Sequence, residues 1–576
     1  MPKVNSTAIT LAAGAATQIA VTTQPSTTVS NGIVFGTQPV VQLRDAAGNN
    51  SPTSGVSIVA SLTGAPGGVT LGGTTTIVTN ASGVSTFTNL SLSGLSGSYT
   101  LTFAKSGLTS AVSTAIFMGA GAPANVTANS VTSQSGRVGI AAGTLPQVKV
   151  VDGSGNPVSG ATVTFAVTAG GGSVSGATPV TNGLGIATVG GWTLGKTVAT
   201  NTVTATVGAL PVVTFNASPT FVVNRVAGGG GFTCAVTVDG VPYCWGDNST
   251  GALGDNSTSP HATPKPVAGS TNFVSIAAGL GHTCGVTSTG AASCWGSNAS
   301  GQLGVGSNTQ KLIPTLVTGG LVFTAIDLGS DHSCGVTTTG AIDCWGANGS
   351  GQLGLGNLTQ KLVPTQVAAS GFSQVTSGVF YSCGTKTTGV GNCWGINGFG
   401  QLGDSTKTLR QVPTTIKGNL IFVEVVSSQT HSCGRTSAST VFCWGFNGQG
   451  RLAQDTLTLT NNESLVPKQV LGLSSVAQLV AGQAHTCART TSNQVFCWGL
   501  GDAGQLGTGD FNNRQAATQV SLPGGVSGFT SIAAGATHTC GVTSTGALYC
   551  WGDNFNNQLG DGSGNDQSLP ALVLNP

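Results

Sequence analysis

Apolar and small polar residues alternate over short runs of this chain, and glycine, asparagine or proline ends the runs. A period of two is the pattern of a half-buried β-strand. In residues 1–219, Thr/Val alternations are punctuated by turn residues, and two similar units stand out. One holds VVQLRDAAGNN (40–50) and IVTNASGVSTFTNLSLSG (77–94); the other holds VKVVDGSGNP (148–157) and PVTNGLGIATVGGWTLG (179–195). Each unit has the length and punctuation of a β-sandwich. The expected domains are 1–119, with an N-terminal extension, and 120–219, with Gly/Ala/Pro-marked boundaries near Gly119–Pro123 and Ser218–Pro219.

From residue 220 the pattern becomes a repeat. Trp-Gly pairs fall at Trp245, Trp295, Trp345, Trp394, Trp444, Trp498 and Trp551, spaced 50, 50, 49, 50, 54 and 53 residues apart. One unit reads FVSIAAGLGHTCGVTSTGAASCWGSNASGQLGVGSNTQKLIPTLV, and four short strands fit it: PTLV, VSIAAG, TCGVTS and AASCWG. Seven such units describe a seven-bladed β-propeller over 220–576. The first strand, Phe221–Val226, has no PTxV strand before it, whereas Leu569–Val573 ends the chain. That last strand is therefore expected to complete the first blade.

The shared signature is Gly-x-x-His-(Thr/Ser), a Gly-ended hairpin, Trp-Gly, Asn, and Gly-Gln-Leu-Gly, as at Gly301-Gln302-Leu303-Gly304 and again at 351–354, 400–403 and 504–507. Gly251-Ala252-Leu253-Gly254, Gly450-Arg451-Leu452-Ala453 and Asn557-Gln558-Leu559-Gly560 are imperfect copies in the same register. These residues resemble the RCC1 repeat family, across roughly 221–576. Tryptophan and leucine read as wedges between blades, and Asn298 and its equivalents as side-chain caps of turns.

All fourteen cysteines lie in this region, in pairs ten residues apart. The pairs are Cys234 with Cys244, Cys284 with Cys294, Cys334 with Cys344, Cys383 with Cys393, Cys433 with Cys443, Cys487 with Cys497, and Cys540 with Cys550. A three-residue loop Ser288-Thr289-Gly290 makes Thr287 face Ala291 and Cys284 face Cys294, with Cα atoms about 4.5 Å apart. Seven intra-blade disulfides follow; buried free thiols are the second reading. A Cys₂His metal site with His282 is the third. Against it, the histidine position is Phe232 in the first unit and Tyr381 in the fourth, while both cysteines stay.

Charge is sparse: 19 Lys+Arg, 17 Asp+Glu and a net +2. Residues 1–219 carry six basic and two acidic residues, the rest thirteen and fifteen. Neither part has the basic footprint of a nucleic-acid binder. No apolar run reaches the ~20 residues of a spanning helix. Regular even cysteines point to an oxidising compartment, yet MPKVNSTAITLAAGAATQIAV is a poor signal peptide, broken by Thr and Gln. A mature form, another export route and a misplaced gene start all fit.

The strand-Asp-x-x-Gly-Asn turn and the Thr-Asn-x-x-Gly strand entry of the N-terminal units resemble bacterial Ig-like domains of the invasin/intimin type. That resemblance implies spacers on a cell-surface or extracellular bacterial protein. Asp45 with Asn49, and Asp152 with Asn156, read equally as Asx turns or as sparse calcium ligands; no cofactor is expected.

Catalytic signatures are sparse: two glutamates only, Glu424 and Glu463, and no Gly-x-Ser-x-Gly or His-Glu-x-x-His. Five of six histidines sit at the repeat position, and His261 stands alone in a loop. The expectation is a non-enzyme. Where the units differ, aromatics gather: Phe399, Phe446 and Phe555 after Trp-Gly and Phe511 after the sixth unit. The fifth unit departs most, through Arg451, Ala453 and a longer stretch to Glu463. These phenylalanines are candidate anchors for a protein or glycan partner, or packing between blades. Three functions compete. One is a secreted or surface adhesion protein whose spacers present a propeller head. Another is a self-assembling fibre or coat subunit pairing through segment 3–20. The third is a secreted inhibitor with this propeller.

Overall fold

The computed structural model describes residues 12–65, 67–269, 271–454 and 462–576. The described chain forms two compact units. The second comprises Arg137–Ile140, Lys196–Val198 and Thr220–Pro576, and the remainder forms the first.

Two β modules with separate cores make up the first unit. In one, Gln18–Thr23, Val40–Arg44 and Val84–Thr86 form a sheet facing a second, in which Gly97–Ala104 lies between Ile116–Gly119 and Ser57–Thr63. Ile19, Val41 and Leu43 from the first sheet meet Ile58, Leu101, Phe103 and Met118 from the second. The other module repeats the plan around Val148, Val150, Phe165, Trp192, Val203 and Phe215. Residues 3–11 of the proposed pairing segment lie outside the described residues. From Gln18 onward the segment already pairs with Val40–Arg44, which corrects the expectation of a free strand there. Strand Val213–Thr220 spans Ser218–Pro219, and the last segment of the first unit ends at Pro219.

The Asp45 and Asp152 turns take the Asx form. Asp45 Oδ1 accepts the Ala47 and Asn49 N–H groups at 3.0 and 2.9 Å, and Oδ2 accepts that of Gly14 at 2.9 Å. Asp152 does the same with Ser154, Asn156 and Gly121, and adds Asn31 Nδ2 at 2.8 Å. Burial pushes the Asp152 carboxyl up, but the donors from Gly121, Asn31 and Asn156 outweigh it and hold it well below the usual range. Oxygens this fully engaged with N–H donors serve the turn.

Among the described residues, the second unit holds seven four-stranded antiparallel sheets, each a meander in sequence order. The second sheet is typical: Ser275–Ala278, His282–Val286, Ala292–Gly296 and Lys311–Leu316. The hairpin follows the expected register. Thr287 N donates to Ala291 O at 2.9 Å, and Gly290 takes φ +82, which only glycine adopts freely. Cys284 therefore faces Cys294.

The same register recurs in every sheet, and each cysteine is bonded to the one opposite. Cys234 is joined to Cys244, Cys284 to Cys294, Cys334 to Cys344 and Cys383 to Cys393. Cys433 is joined to Cys443, Cys487 to Cys497 and Cys540 to Cys550. Their Cα atoms lie 4.0–4.1 Å apart, which corrects the expected 4.5 Å: the bond draws the two central strands together. With each sulfur bonded to its partner, no Cys₂His metal set remains among the described residues.

Closure differs from the expectation. The Pro-Thr strand pairs back onto its own Trp-Gly strand, so Gln567–Leu572 completes the seventh sheet and His261–Pro266 the first. His261 thus opens an outer strand and pairs with Asp255 at 2.7 Å. The ring closes side by side instead. Ala536 N donates to Gly229 O at 3.0 Å, and Val223 N to Gly546 O at 2.9 Å.

Adjacent sheets are joined by repeat residues. Trp295 packs on Phe232, Cys234 and Cys244 of the first sheet, and Trp345 on Cys284 and Cys294 of the second. In six of the seven sheets the indole N–H donates to the carbonyl of the Gln-position residue in the sheet before, as from Trp345 to Gln302 O at 2.8 Å. The Ser/Thr hydroxyl donates to the same carbonyl, Ser333 at 2.7 Å. The histidine reaches the next sheet: His282 Nε2 to Ser333 Oγ at 3.0 Å, His332 to Ser382 at 2.9 Å, His431 to Thr486 at 2.7 Å, His485 to Thr539 at 2.9 Å and His538 to Thr233 at 2.8 Å. Tyr381 Oη does the same to Ser432 Oγ at 2.8 Å. The glycine three residues before histidine makes room for the ring, since a Cβ on Gly329 would lie 2.2 Å from His332 Cε1.

Candidate partner-binding face

The loop after each Trp-Gly is long, and it needs an internal frame to present side chains. Its asparagine supplies one. Asn348, fully buried, donates from Nδ2 to Asn357 O at 2.9 Å and Thr359 O at 3.1 Å, and its Oδ1 accepts Leu353 N–H at 3.0 Å. Asn248, Asn298, Asn397, Asn447 and Asn554 accept the equivalent leucine N–H. In the sixth sheet Gly501 stands at that position, and Asn513 Oδ1 accepts its N–H at 2.9 Å. Asn348→Ala leaves several buried backbone groups unpaired, so it is expected to cost about 2–4 kcal/mol. Denaturant titration checks this; an unchanged midpoint contradicts the frame.

Gln-position side chains pin the tip of the same loop. Gln401 Oε1 accepts Phe399 N–H at 2.9 Å, and Gln302, Gln352, Gln505 and Gln558 accept the matching N–H at 2.8–2.9 Å. This tie holds Phe399 outward, 41% exposed. Phe446 comes from the neighbouring sheet, and the two ring centroids lie 5.1 Å apart. The Arg451 guanidinium stacks over Phe446, 5.3 Å from its centroid. Phe380, 42% exposed, sits in the hairpin loop at the same end of the fourth sheet, its carbonyl accepting Ile396 N–H at 3.2 Å. Phe511 and Phe555, 50% and 87% exposed, stand on the sixth and seventh sheets. Of the four candidate anchors the structure thus brings two together and leaves two apart. Phe380 and the Arg451 stack were not singled out as anchors from sequence; variation from Gln to Arg at a repeat position was the available signal.

An axial cavity of about 320 Å³ runs between the innermost strands. Small residues line most of it, with Asp327, Thr376, Ser377 and Ser427 on one arc. Asp327 accepts Ser377 N–H at 2.7 Å, and burial pushes its carboxyl up to about 6.

The family model for the RCC1-like domain matches residues 184–522. The chain belongs to the RCC1-like domain family. RCC1 repeat models also match 529–558 and 545–576. Human probable E3 ubiquitin-protein ligase HERC4 is 37% identical over 112 residues, 19% of this chain and 10% of that protein. The Arabidopsis thaliana ultraviolet-B receptor UVR8 is 34% identical over 110 residues, 19% of this chain and 25% of the receptor. The RCC1-like chain therefore spans a quarter or less of these relatives. Yeast RCC1 (Prp20), solved with Kap60, aligns at TM-score 0.53 and 20% identity over 59% of this chain and 85% of that one. Human WBSCR16 aligns at 0.52 and 22%, over 58% and 94%. Prp20p from Saccharomyces cerevisiae, described with its binding to Gsp1p and histones, aligns at 0.52 and 18%, over 62% and 88%. At these identities the solved structures share the propeller fold with this chain.

Proposed function

We propose that this chain is a non-enzymatic binding protein of an oxidising, extracellular or cell-surface setting. Its two Ig-like modules act as spacers, and a seven-bladed RCC1-like propeller is the head that docks a partner protein. The observation that carries the reading is the loop face itself. Exposed Phe399 stands where the other units have Thr250, Ser300, Ser350, Gln449, Ala503 and Asn556, and exposed Phe555 where they have Ser249, Ala299, Gly349, Gly398, Gly448 and Asp502. Exposed aromatics are the residues that anchor interfaces. Seven buried disulfides support export, and the name of the yeast neighbour supports protein partners for this fold.

The test uses the full chain and a partner captured by cross-linking at its native site. Phe511→Ala and Phe555→Ala are expected to keep stability within about 0.5 kcal/mol while Phe399→Ala or Phe555→Ala weakens binding by about 2 kcal/mol or more. If none of the substitutions at Phe399, Phe446, Phe511 and Phe555 changes the affinity, the face is not the docking surface.

A further inference from the structure

Resting on the partner-binding reading, we propose that Arg451 receives a carboxylate from an acidic peptide segment of the partner protein, with Phe399 and Phe446 covering the apolar neighbour of that carboxylate.

Five of the seven units carry glutamine at this repeat position, and the first carries Ala252. Glutamine has a structural task there, because its Oε1 accepts the loop N–H two residues earlier. Arginine has no acceptor, so the fifth sheet loses that tie. The loop rearranges: Gln449 adopts φ +60, a left-handed conformation that costs a non-glycine residue, and its Oε1 accepts Arg451 Nη2 at 2.9 Å. Arg451 Nη1 donates to Thr430 Oγ1 at 2.8 Å, and the buried Nε has no partner. Among the described residues, no carboxylate lies within ion-pair distance of the guanidinium. Burial lowers its pKa, and its charge adds to the burial that depresses His431.

Packing does not account for such a swap. It gives up a hydrogen bond, strains a residue and half-buries a cation that has no counter-charge among the described residues, each of which is unfavourable. What it supplies is a planar fork with unused N–H groups, stacked on a phenylalanine and next to an exposed one. That is a site for a carboxylate flanked by an apolar side chain. The charges nearby favour a peptide over a polyanion. Asp247, Asp331, Asp502 and Asp553 lie in loops at the same end of other sheets and would repel a run of phosphates.

The test sets the full chain against an array of short synthetic peptides. Each holds one Asp or Glu beside Leu or Phe, and each has a twin in which Asn or Gln replaces the acid. The wild type is expected to prefer the acid by about tenfold or more, less so at high salt. Arg451→Gln restores the repeat residue and its loop tie, so its melting temperature should hold or rise while the acid preference disappears. Arg451→Lys should recover only part of the preference, having charge without the fork. Phe399→Ala should weaken the acid and amide twins alike. Equal binding of the twins, an acid preference that survives Arg451→Gln, or no binding to any acidic peptide each overturns the carboxylate assignment. The docking face is judged separately, by the phenylalanine substitutions and the native partner.

Discussion

Reducing the seven disulfides is expected to unfold the propeller or to lower its melting temperature by tens of degrees. Each bond joins the two central strands of one sheet and closes a hairpin over a sequence separation of ten residues. In the chain-entropy model each contributes roughly 3 kcal/mol, so the set contributes roughly 20 kcal/mol. That exceeds the 5–15 kcal/mol of net stability, roughly, that a folded domain commonly holds. Little else in the sheets compensates. Each small core lies between two adjacent sheets, and the one between the second and third includes Cys284 and Cys294. The cysteines are at most 1% exposed, so reductant should act slowly on the folded protein and quickly once denaturant opens it. The measurements are thiol titration in denaturant, expected to find none before reduction, and calorimetry with and without reductant. A reduced protein that melts where the oxidised one does would show that the bonds are incidental to stability.

The cysteine register was legible because it depends on one local fact. A hairpin whose glycine sits at the third loop position can be counted outward, and Thr287–Ala291 and Cys284–Cys294 fall where that count puts them. Strand grouping was not legible, because a Pro-Thr strand between two Trp-Gly strands can join either one. The choice is made by the buried asparagine. Asn298 donates to Ser307 O and Thr309 O at 2.7 and 2.9 Å, which folds the long loop back and delivers Lys311–Leu316 to its own sheet. Sequence spacing carries no trace of that fold-back. The aromatic loop face was legible in composition and not in arrangement. Phe399 and Phe446 meet because adjacent sheets present the same loop, whereas Phe511 occupies a later point of its loop. The meaning of Arg451 appears only once the glutamine carbonyl of the other units is seen holding a backbone N–H.

Acidification from pH 7 to pH 5 is expected to destabilise the propeller strongly, through histidines that share one fate. His282, His332, His431, His485 and His538 are fully buried, and each spends Nε2 on a hydroxyl of the next sheet. Burial lowers the first four to about 3 and His538 to about 4, from 6.5. A base whose folded pKa is depressed is held neutral in the native state, so the unfolded chain binds the proton first. Full stability is therefore present above pH 6.5 and is lost as pH falls towards the folded values. At pH 5 the loss is about 2 kcal/mol per histidine, or about 10 kcal/mol for five, and it depends on the unfolded pKa as long as the folded one stays well below 5. Three carboxyls act the other way. Burial raises Asp327 to about 6 and also raises Asp343 and Glu424, so each gains stability as it protonates, about 1 kcal/mol at pH 5 for Asp327. The histidines outweigh them. The depressed carboxyls Asp45, Asp255, Asp404 and Asp510 release their contribution only below their ordinary pKa of 3.8, outside this window. The fourth unit provides the control, because Tyr381 makes the inter-sheet hydrogen bond with a group that does not titrate here. His332→Tyr should therefore flatten the fall in unfolding free energy between pH 6 and 5 by roughly 1 kcal/mol per pH unit, one proton's share. Denaturant titrations at pH 7, 6 and 5 on wild type and variant read this directly. If the two slopes are equal, His332 is not among the groups that take up a proton on unfolding.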